Sequence, residues 1–419
     1  MQYGFRYKDN DFYVEGVPLK EIAQAVGTPC YIYSYSTLVE NFNVLRDAFS
    51  RIDPLICYSV KANSNLSILK TFAKLGAGFD IVSGGELIRV LRADGDPSKI
   101  VFSGVGKTEE EMKAAIEAGI LFFNVESIEE LYVLNGVARG LGKKARIALR
   151  VNPDIDPKTH PYISTGLKKS KFGIEIDSAV EVYKKAADME GIEIVGLDAH
   201  IGSQIFDLSP FMESVRKLVK LADVLRKEGV NIQYIDIGGG LGIKYKKEDS
   251  PPHPKEYADI IMKEMDNSYG LILEPGRSLV GNAGALLTKV LYLKEGKSKN
   301  FVVVDAAMND LIRPAFYDSY HEILTADKNF GDDETVDIVG PICESGDFFA
   351  KDRHLPKVKK DDLLVILSAG AYGFAMSSNY NTRPRVPEVI VRGGEFFVVR
   401  EREKYEDLIR GEAIPDRLR

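Results

Sequence analysis

Tryptophan is absent from this sequence and cysteine nearly so, with 3 in 419 residues, at Cys30, Cys57 and Cys343. Thiols so few and so scattered exclude a disulfide framework and a paired-cysteine zinc site, and they should stay reduced. Glutamine is also scarce, occurring only at Gln2, Gln24, Gln204 and Gln233 among plentiful Lys and Glu, a balance found in heat-adapted proteins. No apolar run approaches the length of a membrane span, and the opening MQYGFRYKDNDFYVEG alternates charge with aromatics where a signal peptide needs an apolar stretch. A cytoplasmic protein without a membrane partner is expected. A surplus of positive charge is missing too: the formal net charge is −7, and the basic groups KKSK at 168–171 and KVKK at 357–360 are short. That balance argues against nucleic acid as a partner.

What is present reads as globular. The chain is longer than one hydrophobic core usually serves, and its 45% hydrophobic content supplies material for two. Between residues 36 and 277 short apolar runs alternate with longer amphipathic stretches, the signature of repeated βα units on a parallel sheet. The strand candidates are LICYSV (55–60), GFDIV (78–82), KIVFS (99–103), LFFNV (121–125), ARIALRV (145–151), IVGLDAH (194–200), IQYIDI (232–237) and GLILE (270–274). Helix candidates between them include one opening on Asn65 and one running from Ser127 to an end at Gly140. Eight such units fit a (β/α)8 barrel of the TIM type, with an open doubly wound sheet as the alternative, because pattern alone does not show closure. Residues 278–419 change to β-branched runs, among them ALLTKVLYL, FVVVDAA, TVDIVGPI, LLVILSA, PEVIV and EFFVV, and read as an all-β barrel or sandwich domain. Residues 1–35 are β-like as well, with a hairpin around Asp9, Asn10 and Asp11, and are expected to join that second domain.

In a closed barrel the chemistry sits at the C-terminal ends of the strands. LICYSV ends at Lys61, and desolvation at such a rim favours the free amine that a Schiff base needs. Taken alone, Lys61 reads more readily as a surface lysine with a buried stem than as a cofactor lysine. IQYIDI runs into Gly238, Gly239, Gly240 and Gly242, where absent side chains let backbone N–H groups converge on a phosphate; the spacing is neither a dinucleotide fingerprint nor a Walker A loop. GLILE ends at Glu274, followed by Gly276 and Arg277, placing a carboxylate where it could face a protonated pyridine nitrogen. His200 closes IVGLDAH and could lie against a flat ring or be an ordinary core histidine. An amine, a phosphate cradle, a carboxylate and an imidazole together are the parts of pyridoxal phosphate chemistry.

At these residues the sequence resembles the barrel-fold, fold type III pyridoxal-phosphate decarboxylases, and within them the diaminopimelate decarboxylase family, over essentially its whole length. YSVKAN around Lys61 looks like that family's cofactor-lysine motif, HIGSQ at 200–204 like its ring-stacking histidine with a phosphate-contacting serine, and GGGLG and EPGR like its phosphate-binding motifs. The resemblance implies cofactor contacts from Lys61, His200, Ser203, Gly239, Gly240, Glu274, Gly276, Arg277 and Tyr372. From LIRPAFYDSYH (311–321), GPICESGD (340–347) and SAGAYGFAMSSNYNTRP (368–384) it implies substrate contacts from Arg277, Arg313, Tyr317, Glu344 and Tyr372, with Cys343 as proton donor. Lys61, His200 and Cys343 form its catalytic set, and no metal is implied. In this family Cys343 and Glu344 reach the partner subunit's site, which implies a homodimer with shared active sites.

The implied activity is decarboxylation of meso-2,6-diaminopimelate to L-lysine and carbon dioxide, the last step of lysine biosynthesis. The side chains suit such a substrate: Arg277 and Arg313 can meet its carboxylates and Glu344 its distal ammonium. Ornithine decarboxylases look similar around Lys61 but characteristically place Asp after the catalytic cysteine, where Glu344 stands here. Decarboxylation of another amino acid and a catalytically silent homologue are the rivals; a racemase would be expected to face the ring nitrogen with an arginine instead of Glu274.

Overall fold

The computed structural model describes residues 4–156, 171–265, 268–328 and 332–418. Within the KKSK group, 168–170 lie outside the described residues.

Eight parallel strands carry the first region: β1 Leu55–Ser59, β2 Gly78–Ile81, β3 Ile100–Phe102, β4 Phe122–Val125, β5 Ala145–Asn152, β6 Ile192–Asp198, β7 Tyr234–Asp236 and β8 Gly270–Leu273. Each pairs in parallel with the next, and the ring is closed by β8 on β1, with Ile272 opposite Leu55 and Leu273 opposite Ile56. That last pairing rules out the open doubly wound sheet. Strands buried on both faces carry continuous apolar runs, so Cys57, Val101, Phe122, Ala148, Val195 and Ile272 pack together as core.

The helices begin where polar side chains can take up the first orphan N–H groups. Asn65 accepts from Ser67 N ahead of Leu66–Lys74, and Ser127 accepts from Glu130 N ahead of Ile128–Gly140. Gly140 is the last helical residue of the latter, but the left-handed turn that ends it comes at Gly142 (φ 63°), whose N–H reaches the Arg139 carbonyl at 2.9 Å.

The chain divides into two compact units. The barrel unit takes in Leu38–Lys244 and Glu248–Val280; the β-rich unit takes in the described residues of Met1–Thr37, Tyr245–Lys247 and Gly281–Arg419. In the second unit a sheet runs in the order Phe348–Pro356, Asp333–Val339, Asn300–Val304, Gly284–Lys294, Cys30–Ser34, Glu388–Arg392, Glu395–Arg400, with Leu363–Ile366 branching from Gly284–Lys294. The early strand Cys30–Ser34 thus lies between two late ones. The hairpin Phe5–Lys8 and Asp11–Val14 turns at Asp9 in the left-handed region (φ 54°), and its Phe5, Phe12 and Val14 pack with Ile32, Leu287 and Val389.

Candidate active site

Each barrel strand brings a buried polar side chain to, or beside, its C-terminal end: Ser59, Asp80, Ser103, Asn124, Arg150, Asp198, Asp236 and Glu274 in strand order. Hydrogen bonds join them around the rim. Ser59 Oγ lies 2.7 Å from Asp80 Oδ2 and 3.0 Å from the Glu274 carbonyl. Asn124 Nδ2 donates to Ser103 Oγ at 3.0 Å, and both reach Glu274 Oε1 at 3.3 Å. Burial pushes the Glu274 carboxyl well above the usual range, and the neighbouring carboxylates Asp236, Asp80 and Asp198 push it further.

Lys61 stands in the single 3-10 turn Val60–Ala62 directly after β1. Its Nζ is 2.6 Å from Asp80 Oδ2, an ammonium–carboxylate pair where the desolvation argument expected a bare amine. Asp80 was not read from the sequence as a site residue.

The glycine loop after β7 is shaped by close approach. Gly238 and Gly240 have φ of 67° and 117°, conformations that a side chain disfavours. A Cβ on Gly239 would come within 2.2 Å of the Glu274 carbonyl, and one on Gly240 within 2.5 Å of the Gly202 carbonyl. The loop after β6 is thereby drawn against it: Ile205 N donates to the Gly240 carbonyl at 3.0 Å, and Gln204 exchanges two hydrogen bonds with the Ile243 backbone. His200 Nδ1 accepts the Gly239 N–H at 3.1 Å, so Nδ1 carries no proton. Desolvation, with Arg150 and Lys61 adding, holds that imidazole well below its usual pKa and keeps it neutral. Arg277, in the short helix Arg277–Val280 after β8, is buried and directs Nε and Nη2 to Ser203 Oγ at 3.3 and 3.0 Å. Gly276 packs against Ser59 and Ala62, where a Cβ would come within 3.0 Å of the Ser59 Cβ. Lys61, His200, Ser203, Gly239, Gly240, Glu274, Gly276 and Arg277 are therefore all in or beside one rim.

The β-rich unit gathers the other expected residues into its own loops. Arg313 opens the short helix Arg313–Tyr317, is buried, donates to Ser319 Oγ at 3.2 Å, and sets its guanidinium 5.1 Å from the Tyr245 ring centroid and 6.0 Å from that of Tyr317. Cys343 and Glu344 are exposed on the loop before Phe348–Pro356, pinned where Cys343 N donates to Asn381 Oδ1 at 3.1 Å and Ile342 N to Asp347 Oδ2 at 2.7 Å. Cys343 is an exposed thiol, whereas Cys30 and Cys57 are buried; burial pushes the Cys30 thiol up to about 12. Tyr372 is held at φ 56°, and Ser368, Asn381 and Thr382 of the same segment share that left-handed conformation. Strain of this kind persists only where the surroundings impose it and is concentrated at functional loops.

The rim also shows what sequence reasoning missed: Asp80, Asn124, Arg150, Asp198 and Asp236, plus Glu126, which accepts Arg150 Nη1 at 2.8 Å and the N–H groups of Gly104 and Gly173, both at 3.0 Å. Each of the first five is a polar residue inside an otherwise largely apolar strand run, Asp80 and Asn124 the lone ones of theirs, and that was the available signal. The rim fits pyridoxal phosphate. Asp80 Oδ1, Asn124 Oδ1 and Asp198 Oδ1 are buried acceptors that meet no donor among the described residues, and a protonated ring nitrogen is a donor; Lys61 and Arg277 bring an amine and a guanidinium to the same rim.

Comparison with known proteins agrees with this reading. Residues 35–281 match the family described as pyridoxal-dependent decarboxylase, pyridoxal binding domain. A diaminopimelate decarboxylase of Aquifex aeolicus is 54% identical over 404 residues, 96% of each chain, and one of Pseudomonas aeruginosa is 51% identical over 411 residues, covering 98% of this chain and 99% of its own. Among solved structures, diaminopimelate decarboxylase from M. jannaschii in co-complex with L-lysine superposes with a TM-score of 0.94 at 44% identity, over 100% of this chain and 99% of that one. The Helicobacter pylori enzyme complexed with L-lysine gives 0.90 at 43% identity, over 94% and 98%.

Proposed function

Because the chain belongs to the pyridoxal-dependent decarboxylases, and within them to the diaminopimelate decarboxylases, we infer that it removes one carboxylate of meso-2,6-diaminopimelate as carbon dioxide and leaves L-lysine, the closing step of lysine biosynthesis. The observation that carries this reading is identity above one half along nearly the whole length of a diaminopimelate decarboxylase. The two solved relatives that hold L-lysine, the product of this reaction, support it.

Bound pyridoxal phosphate supplies an electron sink for the carbon that loses carbon dioxide. Lys61 Nζ is the tethering amine, and Asp80 holds it at the rim until it is needed. Gly239, Gly240, Gly276, Ser203, Arg277 and Tyr372 would hold the phosphate, and Arg277, whose fork is pre-set by Ser203, would also serve the substrate. Glu274 would take the ring nitrogen, and neutral His200 would lie against the ring without setting a second cation on it. Arg313 and Tyr317 hold substrate carboxylate, joined by Tyr372, and Glu344 holds the distal ammonium. Cys343 Sγ returns a proton to the α-carbon.

Two exposed catalytic side chains, Cys343 and Glu344, are best used across a subunit boundary, so the working form is proposed as a homodimer with shared sites. The free state of all three cysteines accords with a cytoplasmic location.

The test is product analysis. With meso-diaminopimelate the purified protein should release carbon dioxide and L-lysine in equal amounts, dependent on added pyridoxal phosphate. Equal or faster turnover of ornithine or arginine would overturn the substrate assignment.

A further inference from the structure

The barrel rim holds more acid than the decarboxylation uses. Asp198, Asp236 and Glu274, from the ends of β6, β7 and β8, each bring a carboxylate oxygen within 4.8 Å of the other two, and all three are buried. Asp80 stands nearby on β2, where Lys61 is paired with it. Arg150, the other close cation among the described residues, sets Nε 3.9 Å from Asp198 Oδ2, but its Nη1 is already bonded to Glu126 at 2.8 Å. His200 adds no charge, since Gly239 N–H occupies its Nδ1 and the ring is neutral. Three like charges at this spacing and out of water do not all stay ionised; a proton is retained among them.

Hydrogen bonding leads to the same conclusion independently. Asp80 Oδ1, Asn124 Oδ1, Asp198 Oδ1 and Asp236 Oδ2 are buried acceptors that meet no donor among the described residues. A carboxylic O–H supplies a donor that the Ser59, Lys61, Ser103 and Asn124 donors, already engaged elsewhere on the rim, do not give these atoms.

We propose that Asp198, Asp236 and Glu274 together store one proton beneath the cofactor site and deliver it to the pyridine nitrogen as the cofactor binds. The proposal rests on the reading that Glu274 receives that nitrogen. In the transfer a carboxylic O–H bond breaks and a ring N–H bond forms. The cluster gains one negative charge, the ring gains one positive charge, and no proton is drawn from solvent. Burial pushes Glu274 and Asp198 well above the carboxylate range, which keeps the store filled at neutral pH, while Asp236, pushed up only to about 6, is the member that ionises first. Asp198 and Asp236 are thereby positioning residues for the cofactor's protonation state, acting through Glu274.

Titration calorimetry tests this. Pyridoxal phosphate is added to cofactor-stripped protein at neutral pH in buffers of different ionisation enthalpy, which counts the protons exchanged on binding. Asp236→Asn removes the neighbouring charge that, after burial, does most to raise Glu274 and Asp198, so part of the stored proton is gone before the cofactor arrives and binding should take up more protons per site than in the wild type, up to about one. Asp198→Asn, on a different strand, should shift the count in the same direction by less and serves if Asp236→Asn does not fold. An unchanged proton count in whichever variants fold overturns the proposal. Glu274→Gln separates the two readings. If it binds with unaltered affinity and absorption spectrum, the ring-nitrogen assignment itself fails; if it binds weakly while the aspartate variants show no extra proton, only the store fails.

Discussion

Lys61 became informative through its neighbours. A lysine after an apolar strand is ambiguous in sequence, but one held 2.6 Å from a buried aspartate, on a rim that also carries Glu274 and His200, is placed for chemistry. Lys61→Ala should abolish turnover and the borohydride-reducible link to the cofactor, read by mass spectrometry of the reduced protein; survival of either would remove Lys61 from its role. Asp236 predicts a pH effect on stability. Its folded pKa is raised from 3.8 to about 6, so above the unfolded value the folded state binds the extra proton. Stability is therefore reduced as pH rises from about 4 through about 6, and stays reduced beyond it. Asp236→Asn should match the wild type in melting temperature near pH 4 and exceed it by a few degrees above pH 7. At this scale sequence reading was uneven. Glu274 and His200 stand at the ends of their runs and were legible. Asp80, Asn124 and Arg150 sit inside apolar runs, where one polar residue looks incidental until closure brings the strand ends together.

Among elements, the parallel strands were the easiest to read, because a strand buried on both faces is a near-continuous apolar run. Phe348–Pro356 was not seen. Its Lys351, Asp352, Arg353 and His354 resemble a polar turn, yet it is an edge strand paired with Asp333–Val339, and Asp352 at φ 47° accompanies a register shift there. The glycine loop gives the sharpest prediction for an element. Gly239→Ala drives a Cβ into the Glu274 carbonyl, a cost of about 1–3 kcal/mol from overpacking. Cofactor affinity should fall by roughly tenfold to a hundredfold, measured by absorbance titration. Gly136→Ala is the control. It lies within Ile128–Gly140 with no atom of the described residues within 4 Å of its added Cβ, and should raise stability by about 0.5–1 kcal/mol without touching cofactor binding.

For the whole molecule, the proposed sharing of sites between subunits predicts complementation. Lys61→Ala and Cys343→Ala should each be inactive alone. Mixed, unfolded and refolded together in equal amounts, they should recover about a quarter of wild-type activity, because half of the dimers are hybrid and each hybrid has one intact site. No recovery, with dimers confirmed by sedimentation, would place Cys343 in the site of its own chain. The oligomer was the part least open to direct reading in the sequence: exposed Cys343 and Glu344 look like loop residues, and only the family motif implies a partner.

The strand Cys30–Ser34 lies between Gly284–Lys294 and Glu388–Arg392, with Tyr31 opposite both Leu286 and Glu388. A ribosome adding roughly 5–20 residues per second leaves that strand without its second neighbour for roughly 20 to 70 seconds after it is made. The barrel can meanwhile be completed on the nascent chain, since its own last strand, Gly270–Leu273, is translated well before Glu388. Order of synthesis thus favours a barrel that is formed early and a β-rich unit that waits for the carboxyl-terminal strands. Messages truncated before codon 388 should yield protease-resistant barrels trailing an unprotected amino-terminal segment.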